Sequence, residues 1–170
     1  MSALALLGSA RPDGDAARLL RAVCAGRAVT CVDLGALRIA DYTYGSAPAD
    51  DFSGVVDLVL DADAVLLVTP VYWYAMSGVL KRFLDRWTEL VTVRTARGRA
   101  LAGRGLFVAA CGSEACPPEG FEVPFRRTAD YVGMVYGGLL YARTADGELY
   151  LDAAQVEAFG EALTASPPGP

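Results

Sequence analysis

The chain of 170 residues contains no histidine. That absence excludes Ser-His-Asp and Cys-His catalysis, His-ligated zinc, and the one side chain whose unperturbed pKa lies near neutrality. Charge is scarce as well. Only 21% of residues are charged against 54% hydrophobic, which is the wrong balance for a disordered chain. The 15 Lys and Arg are outnumbered by 20 Asp and Glu, and no basic tail occurs, so the clustered cations that neutralise nucleic-acid phosphates are missing. No apolar run reaches the roughly 18 residues of a membrane span. The apolar start Met1–Leu7 has no basic flank and meets Gly8-Ser9 too soon for an export signal. The four cysteines, Cys24, Cys31, Cys111 and Cys116, include no C-x-x-C pair, which argues against a tetrahedral metal or iron–sulfur site. A cytoplasmic location with free thiols is expected, a short Cys111–Cys116 disulfide being the minor alternative. With so few reactive side chains, the chemistry has to be borrowed, and a bound organic cofactor is the leading expectation.

What is present is a regular alternation of short apolar runs and amphipathic segments. Ala3–Leu7, Ala28–Leu34, Ala64–Thr69, Gly105–Ala110 and Gly138–Ala142 read as strands, Ala64–Thr69 being continuous in apolar character as strands buried on both faces are. Helices are expected between them: one capped by Asp13, with Ala16, Leu19, Leu20 and Val23 inward and Gly26 as its stop, then Asp50–Leu60, then one from Ser77 carrying Leu80, Phe83, Leu84, Trp87 and Leu90, then Phe121–Val135, then Ala153–Leu163. Arg38–Ala49 reads as loop. Five strands alternating with helices make an α/β doubly wound parallel sheet, one domain over residues 1–163 with helices on both faces, and a Pro-rich tail over 164–170 expected to be mobile. Arg94, Arg97, Arg99 and Arg104 fall at the end of the sheet away from the strand-end loops and read as a solvated connector.

Open parallel sheets bind ligands beyond the carboxyl ends of their strands. Three loops therefore carry the functional reading. The first, Gly8 to Asp15, leads from a buried strand to a helix N-terminus, whose free amides favour a phosphate; Ser9 adds a hydroxyl and Arg11 a planar cation. It is neither a Walker loop nor G-x-G-x-x-G, and an ordinary capped turn is the plain alternative. The second, Pro70-Val71-Tyr72-Trp73-Tyr74, sets three aromatic rings at a strand end, where a flat conjugated ligand stacks. The plain alternative there is that one or two of the rings cap the core. The third, Cys111-Gly112-Ser113, offers small residues that let backbone approach a ring edge.

The stretch Gly8-Ser9-Ala10-Arg11-Pro12-Asp13-Gly14-Asp15-Ala16 resembles the phosphate loop of the flavodoxin-like NADPH-dependent FMN reductases, G-S-x-R-x-x-G-N-T. The run from Thr69 to Arg86, T-P-V-Y-W-Y-A-M-S-G-V-L-K-R-F-L-D-R, is similar to that family's T-P-V-Y-W-x-x-M-S-x-x-L-K-x-F-I-D-R. The resemblance implies a flavodoxin-like five-stranded parallel sheet in the order 2-1-3-4-5, with FMN as cofactor. Ser9, Arg11, Asp13, Gly14, Asp15 and Ala16 would then surround the phosphate. Pro70, Val71, Tyr72, Trp73 and Tyr74 would line the flavin ring, and Cys111, Gly112 and Ser113 would face its pyrimidine edge. It further implies hydride transfer from NADPH or NADH, delivery of electrons to a flavin, quinone or other small-molecule acceptor, and a homodimer or homotetramer. Where the family has Asn-Thr, this chain has Asp15-Ala16, which removes a hydroxyl and sets a carboxylate beside a dianionic phosphate.

No catalytic side chain is expected, because cofactor and nicotinamide supply the reacting atoms. Lys81, Asp85 and Arg86 read as structural, with Asp85 pairing locally to Arg82 or Arg86. Glu114 and Glu119 read as a substrate wall, and Tyr131, Met134 and Tyr136 as packing residues at a helix end. Three other functions share the fold: a reductase or oxidase of a specialised small molecule, an electron carrier that takes no hydride, and a binding module that has lost its cofactor.

Overall fold

The computed structural model describes residues 2–165; residues 166–170, most of the expected tail, lie outside the described residues. In chain order the elements are β1 Ala3–Leu7, α1 Asp15–Cys24, β2 Val29–Asp33, a 3-10 turn Leu34–Ala36, α2 Phe52–Asp61, β3 Ala64–Tyr72, β4 Ala75–Met76, α3 Gly78–Arg86, α4 Thr88–Thr92, α5 Thr95–Arg99, β5 Gly105–Gly112, α6 Val123–Val132, β6 Val135–Ala145, β7 Glu148–Tyr150 and α7 Ala153–Thr164. Five parallel strands run in the order β2-β1-β3-β5-β6. Two further strands, β4 on β3 and β7 on β6, pair antiparallel, so the count is seven rather than five.

Both extra strands are return arms of two-residue hairpins, too short to show a hydrophobic period. Asp146-Gly147 turns the second hairpin with φ of 53° and 78°, a sequence that favours that backbone. Trp73-Tyr74 turns the first with φ of 49° and 65°, in the left-handed region that side chains normally avoid. This turn is bracketed by the pairs Val71–Met76 and Tyr72–Ala75.

Each central strand is buried on both sides, which explains its unbroken apolar run. Leu4, Leu6, Val65, Leu67 and Val108 pack with Val55, Val56 and Val59 of α2, Leu80 and Phe83 of α3 and Phe125 of α6. Ala3, Ala5, Leu7, Leu66, Val68 and Ala109 pack with Leu19, Leu20 and Val23 of α1 and Leu163 of α7. β6 begins earlier than expected because Gly133, at φ 75°, closes α6 by donating to the carbonyls of Ala129 and Asp130. Val135 is therefore a strand residue. Gly137 sits in a bulge against β5, where a Cβ would lie 2.3 Å from the Phe107 ring. Of the three residues expected to pack near there, Met134 is buried, Tyr136 lies on β6 half-buried, and Tyr131 is 77% exposed.

The expected local pairing of Asp85 does not occur: Asp85 meets Lys81 one turn back, Arg82 pairs with Asp41, and Arg86 turns inward. Arg86 is 1% exposed, lies over the Phe52 ring, bonds Glu89, donates to the Ala40 carbonyl and reaches Asp50 at 2.6 Å. Asp50 also accepts from the backbone N–H groups of Ala40 and Phe52, so it ends the loop and α2 starts at Phe52. Burial pushes the Asp50 carboxyl up, but the Arg86 hydrogen bond and those two amides outweigh it and hold it below the usual carboxylate range. The basic connector is tied down as well: Arg94 and Arg97 donate to Ser53, Arg97 pairs with Asp57, and Arg104 donates to the Ala62 carbonyl.

Ser77 joins the first two strand-end loops. Its hydroxyl donates to the Gly8 carbonyl at 2.5 Å and accepts from the Leu80 N–H, capping α3, while its own N–H donates to Thr69 Oγ1 at 3.0 Å. A Cβ on Gly8 would lie 2.5 Å from Leu80 Cβ, so glycine is what lets α3 approach so closely.

These contacts give three stability predictions. Ser77→Ala leaves the buried Gly8 carbonyl unpaired and removes a helix cap, for an expected loss of about 2–3 kcal/mol in urea melts. Arg86→Met strands two carboxylates in the interior and is expected to lose about 3–5 kcal/mol. The stability contributed by Asp50 is present above the unfolded carboxylate pKa of about 3.9 and fades as pH falls through its lower folded value, so Asp50→Asn should flatten that acid limb.

Candidate functional site

Two adjoining cavities open at the carboxyl ends of β1, β3, β5 and β6. The first, about 280 Å³, is lined by Ser9, Arg11, Gly14, Asp15 and Ala16 from the first loop. Pro70, Val71 and Tyr72 come from the end of β3, Cys111, Gly112 and Ser113 from the end of β5, and Thr144 from β6. The second, about 190 Å³, lies between the Trp73-Tyr74 turn and the stretch after β5 and is lined also by Glu114, Pro118 and Tyr141. Val71, Gly112 and Ser113 belong to both, so the two form one cleft. A larger hollow of about 350 Å³ lies between the α3–α4 segment and α6 and contains none of these loop residues.

The first cavity has the features of an anion cradle. Gly14 occupies the N-cap position of α1, and no side chain caps the helix, which leaves its first-turn N–H groups available. The expected Asp13 cap does not form. Asp13 is exposed, the helix starts two residues later behind Gly14, and Asp13 lines neither cavity. Ser9 is buried, and its Oγ accepts from the Arg11 N–H at 3.1 Å, which folds the loop back on itself. Arg11 is exposed and makes no ion pair among the described residues. Asp15 pairs with Arg18 one turn on, at 3.2 Å.

The second cavity is flanked by rings and closed by backbone. None of the three aromatics caps the core: Tyr72 is 44%, Trp73 92% and Tyr74 67% exposed. Gly112 is needed as such, because a Cβ there would lie 2.8 Å from the Tyr141 hydroxyl and 3.1 Å from Val71 Cβ. The Tyr141 hydroxyl donates to the Glu114 carbonyl at 3.1 Å. Burial, then the Glu114 charge, push its phenol above the ordinary value, so it keeps its proton. Cys111 is 2% exposed, and burial followed by the Asp15 charge pushes its thiol up to about 12, which leaves no thiolate at neutral pH. The Cys111–Cys116 disulfide does not form, since all four cysteines are free.

Thirteen of the fourteen loop positions expected around the cofactor thus line one cleft, Asp13 being the exception, while Glu119 lines neither cavity. Two lining residues escaped the sequence reading. Thr144 sits just before Asp146-Gly147, a turn signal that would have extended the last strand to it. Tyr141 lies in mid-strand, where nothing in its neighbourhood distinguishes a lining ring from a packed one.

Residues 1–137 match the family model described as NADPH-dependent FMN reductase. The Bacillus subtilis protein YwqN, described as an NAD(P)H-dependent FMN-containing oxidoreductase, is 28% identical over 95 residues, 52% of this chain. That match spans about half, 51%, of the relative's own length. Among solved structures, a Trp repressor binding protein from Bacillus subtilis superposes with a TM-score of 0.76 at 21% identity, covering 96% of this chain and 99% of its own. An NADPH-quinone reductase from P. pentosaceus gives 0.66 at 20% identity, with 96% and 98% covered. These two structures share the fold, and the match over residues 1–137 carries the assignment: the chain belongs to the NADPH-dependent FMN reductase family.

Proposed function

We propose that the chain is an FMN-dependent NAD(P)H oxidoreductase that takes a hydride from NADPH or NADH and delivers electrons to a small-molecule acceptor. The observation that carries this reading is the two-part cleft, in which a cation and uncapped helix amides at one end adjoin a ring-flanked slot at the other. The residues present fit FMN. Arg11, the Ser9 hydroxyl and the α1 amides would hold its phosphate, and the α1 dipole favours the same charge. Backbone from Pro70 to Tyr74 and Cys111 to Ser113 would hold the ring, with Gly112 keeping that wall flat.

When bound, the flavin supplies the redox chemistry, accepting two electrons from the nicotinamide and yielding them to the second substrate. The protein binds, orients and excludes. Hydride transfer requires the donor carbon stacked about 3–3.5 Å from its acceptor, and the Trp73 and Tyr74 rings at the mouth restrict how a flat substrate enters. The Tyr141 phenol and the Tyr72 hydroxyl line the cleft as the proton-bearing groups beside the acceptor. The absence of histidine is consistent with this division of labour. Among the described residues no helix is long and apolar enough to cross a membrane. A cytoplasmic homodimer or homotetramer completes the proposal, the exposed aromatic turn being a surface that a second copy could cover.

The test is the visible spectrum of the purified chain, supplied with FMN if isolated colourless. Flavin bands that bleach with NADPH or NADH under anaerobic conditions are expected. A bound flavin that neither nucleotide bleaches indicates the electron carrier instead, and a chain that takes up no FMN refutes the cofactor reading. Cys111→Ser should keep NAD(P)H oxidation within about tenfold of the unaltered chain, because a neutral buried thiol is no nucleophile. A loss beyond about a hundredfold would point to thiol chemistry.

A further inference from the structure

A carboxylate in the lining of a phosphate cradle needs a physical explanation. Asp15 opens α1 and lines the same cavity as Ser9, Arg11 and Gly14. Among the described residues Arg11 is the one other charged side chain in that lining, so the formal side-chain charges of the wall sum to zero and leave the α1 amides as the only net pull on a dianion. The missing charge stands one turn along the helix. Arg18 Nη1 donates to Asp15 Oδ1 at 3.2 Å and to the Gly147 carbonyl at 2.7 Å, and Nη2 reaches Glu148 Oε2 at 3.4 Å. These contacts clamp the guanidinium between α1 and the β6–β7 turn, the hairpin whose β6 arm carries the cavity-lining Thr144. Glu148 is 70% exposed and faces water, so its charge is screened better than that of Asp15.

We propose that Arg18 is a positioning residue for the phosphate of the cofactor. It neutralises Asp15 and turns it along the helix, so that Arg11 and the α1 amides meet the phosphate without an opposing charge. The hairpin turn contributes by holding Arg18 in place through the Gly147 carbonyl. This inference rests on the FMN reading of the cleft and concerns Asp15, one of the two positions at which the chain departs from the Asn-Thr pattern, together with its partner Arg18.

The test compares the unaltered chain with Arg18→Met, Asp15→Asn and the double variant Asp15→Asn/Arg18→Met, each freed of flavin. They are titrated with FMN and, separately, with riboflavin, following the quenching of flavin fluorescence at low and high salt. Arg18→Met should weaken FMN binding by about fivefold at low salt, the upper range for one partly exposed charge pair, and less at high salt. Riboflavin, which lacks the phosphate, should bind all four chains alike. The double variant should recover the affinity for FMN, and Asp15→Asn alone should bind FMN at least as tightly as the unaltered chain.

Three results overturn the inference while leaving the cofactor reading intact: FMN binding unchanged in Arg18→Met, an equal loss for riboflavin, or no recovery in the double variant. The last two mean that Arg18 merely holds the turn. Should Arg18→Met fail to fold, Asp15→Asn decides alone, and weaker FMN binding by that variant overturns the proposal. An unaltered chain that binds no FMN overturns the cofactor reading and this inference with it.

Discussion

The Ser77 hydroxyl is the contact on which the geometry of the cleft depends. It donates to the Gly8 carbonyl, where the first loop leaves β1, and accepts from the Leu80 N–H, where α3 begins. A carboxylate at this cap could accept but not donate, whereas the Ser77 hydroxyl does both and so joins the two loops. Thr69 extends the junction to the end of β3 by accepting from the Ser77 N–H. With Gly8 admitting Leu80 at a distance that no Cβ would allow, the first two loops are fixed to one rigid point. The two ends of the cleft are therefore tied together at this junction.

From that anchor the second loop is forced through a tight reversal. Trp73 and Tyr74 both take left-handed backbone, at a cost of roughly 1–2 kcal/mol each for residues with a Cβ. The β3–β4 ladder and the Ser77 cap over-determine the turn, which is how such strain persists in folded proteins. The rings are then held out to solvent at the mouth of a cavity. Strain and exposed aromatic surface together at one point are hard to explain by the packing of this chain and follow naturally from a surface that meets a ligand.

Much of this was legible beforehand, and the failures share a physical cause. The alternation of short apolar runs with amphipathic segments identified the five parallel strands, and the T-P-V-Y-W run with its following helix located the ring loop. Ser77 was visible as a helix start, because cap chemistry is local. The structural role of Arg86 is legible, but its partner is not, since Asp50 lies 36 residues away and no spacing rule connects them. Asp13 was misjudged for the opposite reason: its type suits a cap, but the loop folds so that Gly14 takes the position and leaves the amides free. Asp15 could be recognised as a charge in the wrong place, while its partner Arg18 and the clamp formed by the hairpin turn were not recognised.

The sequence by itself determined the order of the five parallel strands, the sidedness of the core and the exclusion of histidine chemistry, because these depend on composition and short-range periodicity. Only the tertiary structure decided which loop residues share a cleft, that none of the three rings is buried, and that a buried arginine holds a distant loop. Those outcomes depend on which atoms meet across long stretches of chain, and on who neutralises each charge once they do. Asp15 shows the difference most directly. In the sequence it is an acid beside a phosphate loop; in the folded chain it is one half of an ion pair.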